Sequence, residues 1–280
     1  MVDGFLIVDK PAGMTSHDVV DEIRRMAGTR KVGHAGTLDP MATGVLIVAI
    51  GRATRLIRFL GDLPKTYRAR IAFGIATDTL DAEGEEVARV SMHFDEDQLT
   101  RALEKFTGTI EQVPPMVSAV KVGGRRLYEL AREGEEVERP HRTVTISELT
   151  LEEFVGGELP QATIRVMCSG GTYIRTLADD LGRVLGGYGH ISFLRRLAIG
   201  RFEQPVAIEE LAGDVQSHLL RPAKALCHLP VVTADLEAVR HGRPVPTDIT
   251  GHFLIVDARG ELAAVYLGQE GVGSPEVVLT

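Results

Sequence analysis

The sequence predicts a mixed α/β (α+β) fold rather than a doubly wound one. Strand-like and helix-like periodicities interleave along its 280 residues without a regular strand–helix–strand rhythm. The length suits one large domain with a smaller one beside it. Aromatic residues make up only 5% and Trp is absent, so the core has to be built from Val, Ile, Leu and Ala.

Gly4 to Val8 reads as a short buried strand, ended by Lys10-Pro11-Ala12-Gly13. A helix follows, opened by a Thr15-x-x-Asp18 capping box, carried by Val19, Val20, Ile23, Met26 and Ala27, and stopped by Gly28. Residues 33–44 read as a loop leading into a buried strand, Val45–Ile50. Tyr67, Ala69, Ile71 and Phe73 alternate with Arg68, Arg70 and Ala72 as a half-buried strand does. Leu99, Ala102, Leu103 and Phe106 mark a second amphipathic helix, and Ile164, Val166 and Cys168 another alternating strand. After Gly170-Gly171 a helix carries Ile174, Leu177, Ala178, Leu181 and Leu185 on its inner face. Residues 113–142, bracketed by prolines and dense in both charges, read as a protruding insertion. Pro222, Pro230, Pro244 and Pro246 then punctuate the chain. Strand candidates at Phe253–Val256, Leu262–Leu267 and Val277–Leu279 predict a small β-rich C-terminal domain, 227–280.

Composition excludes several classes. The longest apolar run, Val45–Ile50, is far too short to cross a bilayer, and the N-terminus lacks the basic region of a signal peptide. Cys168 and Cys227 form no C-x-x-C, so neither a disulfide framework nor a cysteine zinc site is expected. These features predict a cytoplasmic protein that does not engage a membrane. The net charge of −8 hides an asymmetry: residues 1–70 carry 11 basic and 7 acidic side chains, and 71–113 carry 3 and 10. Since charges act over about 10 Å in physiological salt, a polyanion has basic parts on which to dock.

The most distinctive text is Gly33-His34-Ala35-Gly36-Thr37-Leu38-Asp39-Pro40-Met41-Ala42-Thr43-Gly44. Proline after Asp39 forces the aspartate into an extended backbone. Two readings remain open on shape alone: a structural turn with Asp39 as an Asx-type cap, or a projecting functional carboxylate. No Gly-Lys-Ser/Thr follows, which excludes a P-loop. Asp78-Thr79-Leu80-Asp81-Ala82-Glu83-Gly84 is rejected as an EF-hand. Aligning Gly84 with the sixth loop position puts Thr79 first and Val90 twelfth, where carboxylates are required. The acidic runs at 83–86 and 133–138 read as solvated surface.

The Gly33–Gly44 text closely resembles the catalytic motif of the TruB family, the bacterial tRNA pseudouridine-55 synthases. Further blocks of that family occur in the same order: Lys10-Pro11-Ala12-Gly13-Met14-Thr15-Ser16, Lys65-Thr66-Tyr67-Arg68-Ala69, Cys168-Ser169-Gly170-Gly171-Thr172-Tyr173-Ile174-Arg175-Thr176-Leu177 and Leu194-Arg195-Arg196-Leu197. The likeness spans roughly residues 3–225. It implies a pseudouridine synthase fold over 1–223, with a mixed, largely antiparallel central sheet and the active site in a cleft across it.

The resemblance assigns Asp39 as the catalytic carboxylate, as nucleophile at C1′ or C6 or as the base of a glycal route. Arg175 is its cationic partner, without which the Asp39 pKa would rise. Tyr67 stacks on the target base and takes part in the C5 proton removal; its bland reading is a core tyrosine. Tyr173 and Leu194 contact the nucleotide, His34 fills the stack left by the flipped uridine, and Lys10 supports the loops. Flipping costs a few kcal/mol, which an inserted side chain partly offsets. No metal and no organic cofactor is expected, because the isomerisation is redox-neutral and adds no outside group. The insertion, 113–142, corresponds to a thumb-like RNA-binding loop of stand-alone members. Its Lys121, Arg125, Arg126 and Arg132 are expected on phosphates, with Glu133, Glu135, Glu136 and Glu138 turned to solvent. The family often ends in a PUA-like RNA-binding domain, for which 227–280 is short. The implied partner is the T-arm stem-loop of tRNA, read by a monomer without guide RNA. The alternatives are a guide-RNA-dependent ribosomal RNA synthase and a tRNA-binding or tRNA-folding protein without turnover.

Overall fold

The computed structural model describes residues 3–279 other than 119, 128–129, 131–132 and 136, and only the backbone of 121, 122 and 126. The chain opens with β1 (Gly4–Lys10) and the helix α1 (Ser16–Ala27). The expected capping box is present: Asp18 N–H donates to Thr15 Oγ1 at 3.1 Å and Thr15 N–H to the Asp18 carboxylate at 2.7 Å. Gly28 ends the helix in the left-handed region at φ 61°. Next come β2 (Val32–Ala35), β3 (Thr43–Ile50), a 3-10 helix (Gly51–Leu60) and β4 (Lys65–Phe73). The hairpin of β5 (Ile75–Thr77) and β6 (Glu86–Arg89) precedes α2 (Glu96–Glu104) and β7 (Gly108–Gln112). The insertion holds a minimal hairpin, β8 (Lys121–Val122) with β9 (Arg125–Arg126). It is followed by β10 (Arg142–Val155), β11 (Gln161–Cys168), α3 (Ile174–Val184), β12 (Gly189–Ile199) and β13 (Val206–Ala207). The C-terminal part adds β14 (Val231–Val232), β15 (Val245–Pro246), β16 (Gly251–Val256), β17 (Leu262–Gln269) and β18 (Val272–Val278).

Among the described residues the main sheet has nine strands, ordered β13-β1-β3-β12-β4-β11-β10-β7, with β2 also on β3. Only β1–β13 and β3–β12 are parallel; the remaining pairs of this sheet are antiparallel, so it is mixed and largely antiparallel as expected. Helix α1 covers β1 and β3 through Val19, Val20 and Ile23 against Leu6, Val8, Leu46 and Val48. Helices α2 and α3 cover β4 and β11 through Leu99, Leu103, Leu177 and Leu181 against Ile71, Phe73, Ile164 and Val166. Burying each such aliphatic side chain contributes about 1.5–3 kcal/mol.

One row of the register positions the site. Lys10 pairs with Gly44, Gly44 with Arg196, and Arg196 with Tyr67, which sets these residues side by side across four strands. The row requires glycine at 44. Its φ is +103°, and a Cβ there would lie 2.1 Å from the Arg196 carbonyl oxygen.

Four boundaries differ from those the sequence predicts. Val32–Ala35 is a strand on β3 rather than loop, because pairing satisfies backbone groups the edge of β3 would otherwise leave open. Strand β3 starts at Thr43, two residues early, where Thr43 and Gly44 pair with β12. The insertion ends before Arg142, which already pairs with Gln112 in the sheet. The last strand begins at Val272 although Gly273, Ser274 and Pro275 read as a turn; pairing with β17, through a register shift at Val265 and Tyr266, overrides that propensity. A five-stranded sheet, β14-β16-β17-β18-β15, closes the C-terminal part. Its Leu254, Leu262, Val265, Val277 and Leu279 share an apolar cluster with Ala53, Leu56 and Leu60 of the 3-10 helix and with Phe5 and Ile47.

Candidate active site

Between β2 and β3 the chain makes the loop 36–42, pinned from below by three side chains. Fully buried Lys10 donates from Nζ to the carbonyls of Pro11 (2.8 Å), Met14 (2.6 Å) and Pro40 (3.1 Å). Burial lowers its pKa to about 8, with Asp39 pulling the other way. Arg196, 1% exposed, donates to the carbonyls of Val45 (2.7 Å), Gly36 (3.1 Å) and Thr37 (3.4 Å). Ser16, the first residue of α1, clamps Leu38: its Oγ accepts from Leu38 N–H at 2.8 Å and donates to Leu38 O at 3.2 Å. The next residue is Asp39.

Arg175, in the first turn of α3, meets Asp39 as a fork. Nε lies 2.9 Å from Oδ2, and Nη2 donates to Oδ1 at 3.0 Å. The arginine side chain is 4% exposed, whereas a third of the Asp39 side chain still meets solvent. Arg175 also donates to Thr79 O (2.8 Å) and Val117 O (2.8 Å), and its Nη1 lies 3.4 Å from Asp81 Oδ2. The guanidinium thus makes three hydrogen bonds, to Asp39 Oδ1, Thr79 O and Val117 O, and two further ion-pair contacts, to Asp39 Oδ2 and Asp81 Oδ2. Burial pushes the Asp39 carboxyl above its ordinary range; Arg175 opposes that and the nearby Asp81 charge adds to it.

Tyr67 lies buried beside Leu38, Ala42 and Leu194. Burial raises the affinity of its hydroxyl for the proton, and Arg196 opposes that. His34 is half-buried on β2, with Nδ1 unpaired among the described residues and its pKa lowered by burial. Tyr173 precedes α3, and its backbone is held on both sides by Gln112: N–H donates to Oε1 at 2.9 Å, and the carbonyl accepts from Nε2 at 3.2 Å. The fold therefore gathers Lys10, Asp39, Tyr67, Arg175 and Leu194 around one partly open carboxylate. Among the described residues no three His, Cys, Asp or Glu side chains converge as a metal site needs. No described helix is long and apolar enough to cross a membrane.

The insertion departs from expectation in one respect. Arg125 is ion-paired with Glu133 (2.5 Å) and Glu135 (3.6 Å), so basic and acidic groups meet instead of facing apart; the turn at Leu130, whose carbonyl accepts from the N–H of Glu133 and of Glu135, shapes the segment that carries the glutamates. Arg132 and the side chains of Lys121 and Arg126 lie outside the described residues.

Four residues that build the site have no role in the sequence reading: Asp81 and Gln112, and Arg196 and Ser16, which stand inside the family blocks without an assigned part. Asp81 stands in a stretch that reads as solvated acidic turn, yet it is buried, with Oδ1 accepting from Thr79 Oγ1 at 2.6 Å. Its neighbour Leu80 sits at φ 62°, uncommon for a branched residue. Between them, Thr79 and Asp81 present a carbonyl and a carboxylate to Arg175.

The profile described as TruB family pseudouridylate synthase (N terminal domain) matches residues 24–174, and that described as tRNA pseudouridylate synthase B C-terminal domain matches 175–226. The tRNA pseudouridine synthase B of Symbiobacterium thermophilum is 53% identical over 247 residues, 86% of this chain and 82% of that protein. Its namesake in Thermobifida fusca is 46% identical over 99% of both chains. Among solved structures, a Cbf5–Nop10–Gar1 complex contains a chain that superposes with a TM-score of 0.74 at 28% identity, covering 99% of this chain and 84% of that one. An H/ACA RNP bound to a substrate RNA gives 0.72 at 25% identity, covering 99% and 85%.

Proposed function

Because the chain belongs to the TruB family of pseudouridylate synthases, we propose that it isomerises the uridine at position 55, in the T-arm of tRNA, to pseudouridine. The N1–C1′ bond breaks, C5 is joined to C1′, the proton on C5 passes to solvent, and N1 takes up a proton in exchange. The step is redox-neutral and takes nothing from outside, so the reading includes no cofactor.

The observation that carries it is the forked Asp39–Arg175 pair at a partly open site. A pure RNA-binding protein has no use for a desolvated carboxylate held at a fixed angle. Such a carboxylate attacks C1′ or C6 as a nucleophile or removes a proton as a base, and the guanidinium keeps it ionised beside a phosphate backbone. Tyr67, next to Leu194, serves as the platform for the flipped uracil, and its hydroxyl takes part in the proton removal. Tyr173 contacts the same nucleotide, His34 fills the vacated stack, and Lys10 holds the loop. Residues 1–223 form the catalytic domain, the insertion is the RNA thumb, and 227–280 is a short PUA-like domain. A tRNA substrate puts this enzyme in the cytoplasm.

The Cbf5 likeness favours a second reading, an enzyme that works within a ribonucleoprotein. Purified protein, given an unmodified T-arm hairpin tritiated at C5 of uridine 55 and no guide RNA, should release tritium to water in many turnovers. Release only after a guide RNA is added would favour the ribonucleoprotein reading, and tight binding with no release in either case would favour a non-catalytic binder.

A further inference from the structure

Residues 24–58 contain seven arginines and lysines and a single carboxylate, Asp39 itself. The structure disposes of most of these cations. Arg24 and Arg25 are paired with Asp21 and Glu22 one turn earlier on α1. Arg52 and Arg58 are paired with Asp3 and Glu276, and Arg55 donates to the Val278 carbonyl. Arg30 and Lys31 remain: both are exposed, and neither side chain has a hydrogen-bond or ion-pair partner among the described residues. They stand where the chain leaves α1 for β2, beside an open groove lined by Asp21, Arg24, Arg25, Gly28, Thr29 and Arg30.

Their position follows from the strand. Lys31 precedes β2, and its carbonyl accepts from Gly51 N–H at 2.7 Å, which fixes its backbone at the end of β3. From Lys31 to His34 the extended chain advances about 10 Å, close to one Debye length in physiological salt. His34 leads into the loop that carries Asp39. Two unneutralised cations on a rigid strand end therefore stand one screening length from the approach to the catalytic carboxylate. No ion pair within the described residues has to be broken before these cations meet a phosphate, and Asp21, the carboxylate of the groove, is already paired with Arg24.

We propose that Arg30 and Lys31 form a phosphate-binding strip, separate from the insertion, that holds the RNA backbone outside the reacting nucleotide. The proposal rests on the RNA-modifying reading above. Its occupant is an RNA phosphate backbone, because exposed cations that no protein partner holds in a fixed orientation respond to the repeating phosphate charge rather than to one base edge. The strip acts on affinity and not on the chemical step, since neither side chain belongs to the constellation around Asp39.

The test compares the wild-type enzyme with the double variant Arg30→Ala/Lys31→Ala on the same T-arm hairpin across a salt series. The control, Arg101→Ala/Lys105→Ala, removes two exposed cations from the end of α2, which packs toward the opposite end of the sheet. Each phosphate contact contributes a slope of roughly 0.7–0.9 in log K against log salt, hence about five- to eightfold in affinity at 0.1 M. The strip variant should bind at least tenfold more weakly at that salt, with a slope flatter by about 1.5, while its single-turnover rate at saturating enzyme stays at the wild-type value. The control should keep both affinity and slope. Unchanged affinity and slope in the strip variant overturn the proposal, as does an equal loss in the control, which would mean only a diffuse field. Wild-type turnover on the same hairpin is scored separately: its absence would count against the RNA-modifying reading, whereas the binding series decides the strip.

Discussion

At the scale of single residues the protein is organised around one guanidinium. Arg175 contacts both Asp39 oxygens, donates to Thr79 O and Val117 O and stands 3.4 Å from Asp81, so the carboxylate faces an arginine held on all sides. Asp39→Asn keeps size and hydrogen bonding and removes the nucleophile or base. Turnover should fall below detection while hairpin affinity, measured by filter binding, changes less than about tenfold, or about 1.4 kcal/mol. Asp81 tunes the pair from behind. Burial and the Asp81 charge both raise the Asp39 pKa, so the acid limb of the single-turnover pH profile should lie above the ordinary carboxylate range. Asp81→Asn removes the like charge and loosens Arg175. The plateau rate should drop, and the acid limb should move to lower pH; a limb that stays in place would show that Asp81 has only a packing role.

Elements carry the next layer. Gln112, at the end of β7, uses its amide as a piece of strand and pairs with both backbone groups of Tyr173 at the start of α3. Gln112→Ala leaves the Tyr173 N–H without that partner, whereas the Tyr173 carbonyl keeps its bond from Leu177 N–H at 3.1 Å, and should destabilise the protein by on the order of 1–2 kcal/mol in urea melts. Gln112→Glu, which keeps the acceptor, should fall between alanine and wild type. In α3 itself, burial and the neighbouring Asp179 push Asp180 up to about 6. Its folded pKa thus exceeds the unfolded value, so its favourable contribution is complete below the unfolded pKa and lost as pH rises through about 6. Asp180→Asn should therefore raise Tm at neutral pH and leave it unchanged where both forms are protonated. The 3-10 helix has its own logic. At three residues per turn Arg52, Arg55 and Arg58 eclipse one another, and they reach the carbonyls of Leu279, Val278 and Glu276 along the last strand. An α-helix would fan the same three side chains apart.

For the whole molecule, the two sheets and the insertion frame the proposed approach of RNA. The arginine row and the apolar cluster beneath it fix the C-terminal sheet against the main one. Among the described residues, the insertion reaches the Asp39–Arg175 pair through Val117 O, which accepts from Arg175. Replacing Lys121, Arg125 and Arg126 together with Ala should weaken tRNA binding and flatten the salt slope by about two to three, with the single-turnover rate unchanged. The Arg125 pairing with Glu133 and Glu135 reduces its share, so a flattening nearer two is expected. Unchanged affinity and slope would remove the insertion from the RNA interface.

The sequence by itself determined the local pieces whose causes are local. The Thr15–Asp18 box, the Gly28 stop, the alternation of Tyr67 to Phe73 and the inner face of α3 each depend on neighbours within a few residues. The family blocks marked Asp39, Tyr67 and Arg175 before any contact was visible. Tertiary structure alone decided what joins them. Strand β12 escaped periodicity because register shifts at Ile191/Phe193 and Arg196/Ala198 break its alternation and because it carries Arg195 and Arg196. The roles of Asp81 and Arg196 were not legible because charged residues are usually at the surface and the partners of these two stand 94 and 151 positions away in the chain. Burying a charge is favourable only where several fixed dipoles or an opposite charge receive it, and such a receiving set is assembled by the fold, not by the sequence nearby.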